Sequence, residues 1–422
     1  MAKILIYLKN MDPGEEYDIW NQVEPKFYYE TFIKNNNKNV IINYANRLWF
    51  QGIVSCIDTN ENQLFYYNEI MSFEEINNKF DMIIIPQANL FSERFKKQII
   101  VFCDFIRNIK IPVFFVACGA QARSYNHIDL LVKSIGDCSK RLIDLVYTTG
   151  GEFALRGKFT KEFFDLIGTN TAAVTGCPSI FQLGRDLKIS NEKCSKNDFV
   201  PIFNGNSEKE CLRYSNSYFI DQDVFFRFLY NTDFSIDSIS KNEIRQLIKA
   251  YGYDKIKLLF NNRIKLFVDM NDWYNFLIHR NISFSFGSRI HGNIMPLLAG
   301  IPSAIIAEDT RVQELAEYFN IPLYNSKKHI DIYDYYMSVD YTEFNKNFSQ
   351  RFDVFEKFLC DHSIVKKVNQ KNKFFFSKKE CFSGNLNEEG LGSFSKEINK
   401  VYYKMYYMAF ALYREAKKIS KA

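Results

Sequence analysis

Metal-binding patterns are missing from this 422-residue chain. Its five histidines, His127, His279, His291, His329 and His362, stand at no ligand spacing with acids, so no metal and no cofactor are expected. The nine cysteines, Cys56, Cys103, Cys118, Cys138, Cys177, Cys194, Cys211, Cys360 and Cys381, contain no Cys-x-x-Cys pair. Their odd number and apolar surroundings read as reduced, buried thiols of a cytosolic protein. No run of about 18 uncharged apolar residues exists, so no membrane span is expected. The chain goes directly into Ile4-Leu5-Ile6-Tyr7-Leu8, without the basic, apolar and small-residue regions of a signal peptide. Dense Arg/Lys blocks are lacking too, which argues against nucleic acid as a partner.

What is present has the balance of a globular protein: 24% charged and 47% apolar residues. The length suits two domains of roughly 150–200 residues. The net charge of +5 is unevenly placed: residues 361–422 carry 13 Lys/Arg against 6 Asp/Glu, so the basic excess belongs to the tail. A helical stretch at 397–419 carries Tyr402, Tyr403, Tyr406, Tyr407, Phe410 and Tyr413. It reads as a closing helix packed on a domain. Alternatively, 397–422 touches the anionic inner face of a membrane, giving a cytoplasmic protein held peripherally there.

Short apolar runs alternate with amphipathic stretches. Strands are expected at 4–8, 40–42, 82–85, 113–117, 145–148 and 172–174, with helices at 93–107, 140–143 and 160–166 between them. Strands apolar throughout imply a parallel sheet covered on both faces. A polar interval at 184–198 reads as a linker, after which the alternation restarts. Strands are expected at 199–203, 256–259, 282–286 and 303–306, and helices at 222–229, 241–251, 272–279, 289–298 and 311–318. The fold class is therefore α/β: two Rossmann-like domains, 1–185 and 199–330, facing a cleft, plus an extension at 331–422. Ligands of such sheets bind at the carboxyl ends of strands.

One corner concentrates the chemistry. The strand at 282–286 ends in Gly287-Ser288, and the next residues begin a helix whose apolar face is Ile290, Ile294 and Leu297/Leu298. Gly287 permits a sharp turn and Ser288 fits an N-cap. Arg289 and His291 then fall in the first turn, where free N–H groups and the helix dipole favour an anion. A guanidinium adds a fork matching carboxylate or phosphate, and an imidazole adds a proton that moves near neutral pH. The segment Ser288-Arg289-Ile290-His291-Gly292 is the candidate anion site. The plain alternative is an Arg paired with a surface acid and a packed His. Beside it, a second strand leads into Glu308-Asp309-Thr310-Arg311. Glu308 or Asp309 suits a ribose or acceptor hydroxyl, and one of Asp309 and Thr310 suits a helix cap.

Ser-Arg-Ile-His-Gly-Asn-Ile at 288–294, Leu-Ala-Gly-Ile-Pro at 298–302, and the strand before Glu308-Asp309-Thr310-Arg311 resemble the C-terminal signature of the polysaccharide pyruvyl transferase family. Asn43-Tyr44-Ala45-Asn46-Arg47, Val116-Ala117-Cys118-Gly119-Ala120-Gln121, Leu155-Arg156-Gly157 and Thr175-Gly176-Cys177-Pro178-Ser179 resemble its N-terminal segments. The chain departs from the pattern at Ala45, where glycine is usual, at Gly157, where Asp is common, and by an insertion near 10–35. The resemblance implies a pair of GT-B-like domains and transfer of a pyruvyl ketal from phosphoenolpyruvate, as donor substrate, to two hydroxyls of a sugar or lipid-linked glycan in surface-polysaccharide biosynthesis. Arg289 and the backbone after Ser288 would hold the donor, with Arg156 as second clamp. His291 would act as general acid or stabilise the leaving phosphate. Asn43, Asn46 and Gln121 would meet acceptor hydroxyls. Two rivals share this reading of the fold. One is a glycosyltransferase using a nucleotide-sugar, with Glu308 on the ribose. The other is a non-catalytic glycan-binding protein, which Gly157 favours and the pair Arg289 and His291 opposes.

Overall fold

Ile4, Leu5 and Ile6 have no solvent exposure, as a run apolar on both faces demands. They lie in β1 (Ala2–Ile6) of a computed structural model that describes residues 1–7, 52–67, 71–169, 171–221, 248–249 and 252–368, apart from 262, 266, 268–269 and 326–329. After β1 come β2 (Asn62–Tyr66), α1 (Phe73–Lys79), β3 (Met82–Pro86), α2 (Lys96–Ile106), β4 (Val113–Cys118), α3 (Ile128–Thr148), β5 (Phe153–Leu155), α4 (Lys158–Leu166) and β6 (Ala173–Val174). The strands form a six-stranded sheet in the order β2-β1-β3-β4-β5-β6, parallel throughout.

The second half contributes β7 (Pro201–Asn204), α5 (Glu208–Arg213), β8 (Tyr218–Ile220), α6 (Tyr253–Phe260), β9 (Ile264–Lys265), α7 (Met270–His279), β10 (Phe284–Gly287), α8 (Ile290–Leu298), β11 (Ser303–Ile305) and α9 (Thr310–Phe319). Its sheet is also parallel, in the order β11-β10-β7-β8-β9. Two parallel α/β sheets, each with a crossover that reverses strand order, give the GT-B-like architecture. The carboxyl ends of β10 and β11 meet the first domain through α9.

Two expected strands are helical. Residues 145–148 form the last turn of α3, whose buried Leu131, Ile135, Leu142, Ile143 and Val146 follow helical spacing. A short apolar run has no period of its own, so the longer helical pattern prevails. The strand follows at Phe153, beyond Gly151. A Cβ on Gly151 would lie 1.8 Å from the Val113 carbonyl oxygen, so glycine alone fits there. Residues 256–259 likewise belong to α6, and β8 and β9 take the sheet positions instead. The expected strand at 40–42, the helix at 222–229, most of that at 241–251, Asn43, Asn46, the insertion near 10–35 and the stretch 397–422 lie outside the described residues. Among the described residues, no helix is long and apolar enough to cross a membrane.

Residues 331–368, read from the sequence as the start of an extension, pack back onto both halves. They form α10 (Ile332–Ser338) and α11 (Thr342–Asp361). Phe344, Phe348, Phe352 and Phe355 recur on one face of α11 and are buried. Phe348, Phe352 and Phe355 surround the Phe181 ring, with centroids 5.2–5.7 Å away. At the helix end the Phe114 ring of β4 meets His362 at 5.1 Å, and Asn62 Nδ2 donates to the Ile364 carbonyl at 2.8 Å.

His362 makes this contact pH-dependent. Its Nε2 lies 2.7 Å from Glu152 Oε2 and its Nδ1 2.8 Å from the Phe358 carbonyl oxygen. Both neighbours are acceptors, so both ring nitrogens must carry protons, which only the cation supplies. The Glu152 bond accordingly holds the imidazole above its ordinary value, against the effect of burial. A raised folded value stabilises fully below the unfolded value, about 6.5, and is lost as pH rises through the folded value. The Tm advantage of wild type over His362→Gln is therefore expected to be largest in mildly acidic buffer and to vanish in alkaline buffer. A pH-independent difference would refute this account.

Candidate functional site

The strand ends β7 and β10 are pressed together. A Cβ on Gly287 would lie 2.1 Å from the Asn204 carbonyl oxygen, and one on Gly205 (φ +61) would lie 2.2 Å from Ser288 Oγ. This close approach lets side chains bond across the turn. Asn204 Oδ1 accepts from the Arg289 N–H at 2.9 Å, and Ser288 Oγ accepts from the Asn206 N–H at 3.1 Å. Asn293, fully buried, donates through Nδ2 to the carbonyls of Gly287 and Arg289, both at 3.0 Å, and accepts from Ser285 Oγ at 2.8 Å. The Asn of Ser-Arg-Ile-His-Gly-Asn is thus the peg that fixes the turn.

These bonds alter the expected geometry. Ser288 is not the N-cap, because its hydroxyl serves the β7 loop; α8 starts at Ile290 with Arg289 as N-cap, in extended backbone and with no side-chain cap bond. Arg289 is exposed and its stem lies over Gly205, so it stands outside the helix's first turn. Ile290 and Gly292 are buried.

His291 turns the other way, into the domain interface. It is 6% exposed, and its Nε2 lies 3.9 Å from Sγ of Cys177, in the loop after β6. Arg156, at the end of β5, meets the same sulfur at 3.9 Å. Arg156 is buried, not a surface residue, and its Nε donates to the Ala117 carbonyl at 2.9 Å. A third group completes the corner. Gly119 has no room for a side chain beside Arg156 Cδ, 3.1 Å from an ideal Cβ, and Arg311 Cγ, 3.4 Å away. The stems of two arginines, one from each domain, therefore converge over one glycine. Arg311 forks Asp309, Nη2 to Oδ2 at 2.6 Å and Nε to Oδ1 at 3.2 Å, and Gln121 Nε2 donates to the same carboxylate at 3.1 Å.

The electrostatics follow from this packing. Burial, then Arg156 and Arg311, push His291 well below its ordinary value, which disfavours the imidazolium. Burial and the nearby Arg311 also lower Arg156. Glu314, on the same face of α9 as Arg311, is raised to about 7, chiefly by burial, against the effect of its bonds to Thr160. Buried Arg156, with Arg311 beside it already forked by Asp309, leaves a net positive corner suited to an oxyanion.

The remaining candidates divide between this corner and its rim. Asp309 caps α9, its Oδ1 accepting from the N–H groups of Arg311 and Val312. Gln121 serves that carboxylate. Glu308 is exposed and bonds Asn206 Nδ2 at the rim near Arg289. Among the described residues, no three His, Cys, Asp or Glu side chains group to hold a metal ion. Arg311, Cys177 and Glu314 were missed as site residues. The signal for two of them was the i, i+3 spacing of Arg311 and Glu314 in the helix that follows Glu-Asp-Thr.

Among solved structures the chain is similar to the S. aureus MnaA–UDP co-structure, at 12% identity and TM-score 0.38, over 87% of this chain and 98% of that one. It is also similar to a putative UDP-N-acetylglucosamine 2-epimerase from Listeria monocytogenes (11%, TM-score 0.38, 89% and 99%) and to Anabaena HepE in complex with UDP (10%, TM-score 0.36, 88% and 98%). None of the curated proteins matches its sequence. The family model described as polysaccharide pyruvyl transferase matches residues 3–310. With its sequence signature matched over most of its length, and with His291 of that signature set against Arg156 at the junction of two α/β domains, the chain belongs to the polysaccharide pyruvyl transferase family.

Proposed function

We propose that this protein transfers the pyruvyl group of phosphoenolpyruvate to two hydroxyls of one sugar, forming a ketal on a surface glycan or its lipid-linked precursor. The observation that carries the reading is the convergence of buried Arg156 and His291 with half-buried Arg311 in one corner of a chain from this family. Phosphoenolpyruvate carries a carboxylate and a phosphate, and its arrival would offset the buried charge of Arg156 and recruit Arg311 from its pair with Asp309. With that charge in place, His291 regains basicity. The first acceptor hydroxyl adds to C2 while its proton is passed to C3, turning the methylene into a methyl group. The C2–O bond to phosphate then breaks with its electron pair. The second hydroxyl closes the ketal, and its proton leaves with inorganic phosphate. In this reading His291 takes the second hydroxyl's proton and hands it to the leaving phosphate. Arg289, Glu308 and Asn206 form the exposed rim, where acceptor hydroxyls would lie with Gln121 behind them.

Calorimetry separates this reading from nucleotide-sugar transfer. Phosphoenolpyruvate is expected to bind the wild type, and Arg311→Ala to weaken it by about tenfold or more, the effect of losing one charged hydrogen-bond partner. Arg289→Ala, at the rim, should weaken it far less. Tight binding of a UDP- or CMP-sugar with no response to phosphoenolpyruvate would overturn the proposal.

A further inference from the structure

Helix α4 starts behind Gly157, which has no side chain with which to cap it. The cap comes from elsewhere. The N–H of Thr160, third residue of the helix, donates to Glu314 Oε2 at 2.8 Å, and Thr160 Oγ1 donates to Glu314 Oε1 at 2.6 Å. An N-cap carboxylate makes this bond to the third helical N–H. Here it arrives from α9 in the other domain, 154 residues along the chain. Gly157 is what admits it: a Cβ at that position would lie 2.8 Å from Glu314 Cβ and 3.0 Å from the Glu314 carbonyl oxygen. A local acid at 157, where the family segment commonly has Asp, would hold the domains apart. Glycine and the distant glutamate thus form one device.

The same seam is bonded on both sides. Thr310 Oγ1 donates to the Ala120 carbonyl at 2.9 Å and accepts from the Ala122 N–H at 3.0 Å, and Thr160 Oγ1 accepts from the Ala120 N–H at 2.8 Å. Arg156 immediately precedes Gly157, and Arg311 lies one turn before Glu314. The segments that carry the clasp are those that carry the two guanidinia.

We propose that Glu314 is a positioning residue for the transfer reaction: by capping α4 from across the cleft, it closes the domains and sets Arg156 against Arg311 around the donor. This rests on reading that corner as the donor site. In a Gly157-Glu314 chain the cap of α4 requires contact between the two domains, so capping energy is coupled to assembly of the anion site.

Hydrogen exchange and binding read the two halves of this claim separately. Exchange in the first turn of α4 is measured for wild type, Glu314→Ala and Glu314→Gln, each alone and with phosphoenolpyruvate or inorganic phosphate. Loss of the cap in Glu314→Ala is expected to speed that exchange by about tenfold. Affinity for phosphoenolpyruvate and kcat/KM should fall together by a similar factor. Glu314→Gln keeps an acceptor for the Thr160 N–H but loses the hydroxyl bond, and should fall between. Faster exchange with unchanged affinity and kcat/KM in both variants would reduce Glu314 to a helix cap and overturn the proposal, as would unchanged exchange. Faster exchange in Glu314→Ala, with a wild type that binds neither anion, would instead remove the donor reading and leave the clasp.

Discussion

Arg156→Met is expected to lower kcat/KM by about two to three orders of magnitude, the usual effect of removing one preorganised donor from a developing charge. The fold should survive it. Arg156 is almost wholly buried, and burial together with Arg311 already disfavours its charge. Removing a buried charge recovers its desolvation cost, which offsets the hydrogen bond lost with it. Methionine can follow the same path past Gly119, and the bond lost at the Ala117 carbonyl is one charged hydrogen bond. The informative outcome is therefore a protein with unchanged or higher Tm and little activity, since a structural arginine would lose both. Steady-state kinetics beside a thermal melt decides the matter. Activity within threefold of wild type would show that the donor lies elsewhere.

Gly287→Ala should produce the opposite pattern, in which stability and activity fall together. Its added methyl carbon would sit 2.1 Å from the Asn204 carbonyl oxygen and 2.5 Å from Asn204 Oδ1, both fully buried. Neither atom can yield: the side chain holds the Arg289 N–H, and the carbonyl receives the Ser288 N–H at 3.3 Å. Wedging β7 from β10 is expected to cost about 3 kcal/mol, at the upper end of overpacking effects. Because Asn293 pegs the turn that leads to His291, kcat should drop even in the fraction that stays folded. A Tm shift of under one degree would mean that the strand ends are not locked as described.

Most strands were readable as apolar runs between helical stretches, and the turn at 287–292 from its glycine, though Ser288 is not its cap. What escaped is what depends on partners. Residues 145–148 and 256–259 are apolar enough for strands, and only the longer helices that contain them settle the matter. Asn62–Tyr66 and Ile264–Lys265 are too short or too polar to announce themselves, yet they complete the two sheets. At the site, Ser-Arg-Ile-His directed attention to Arg289. Arg289 and His291 are two residues apart, and the extended backbone at Arg289 sends their side chains to different places. Arg311 and Glu314 acquire meaning only against Arg156 and Thr160, more than 150 residues earlier. Gly157, read alone as a missing acid, is the vacancy that Glu314 fills.

The return of α11 bears on how the protein is made. Phe114 and Asn62 belong to the first domain, but their partners, His362 and Ile364, are translated some 300 residues after Asn62. Until that stretch leaves the ribosome, one flank of the first sheet lacks its cover, although most of the sheet is already synthesised. The first domain's packing is complete only once the end of the second half has joined it. Contacts of this sequence separation slow folding, because the loop must close before they form.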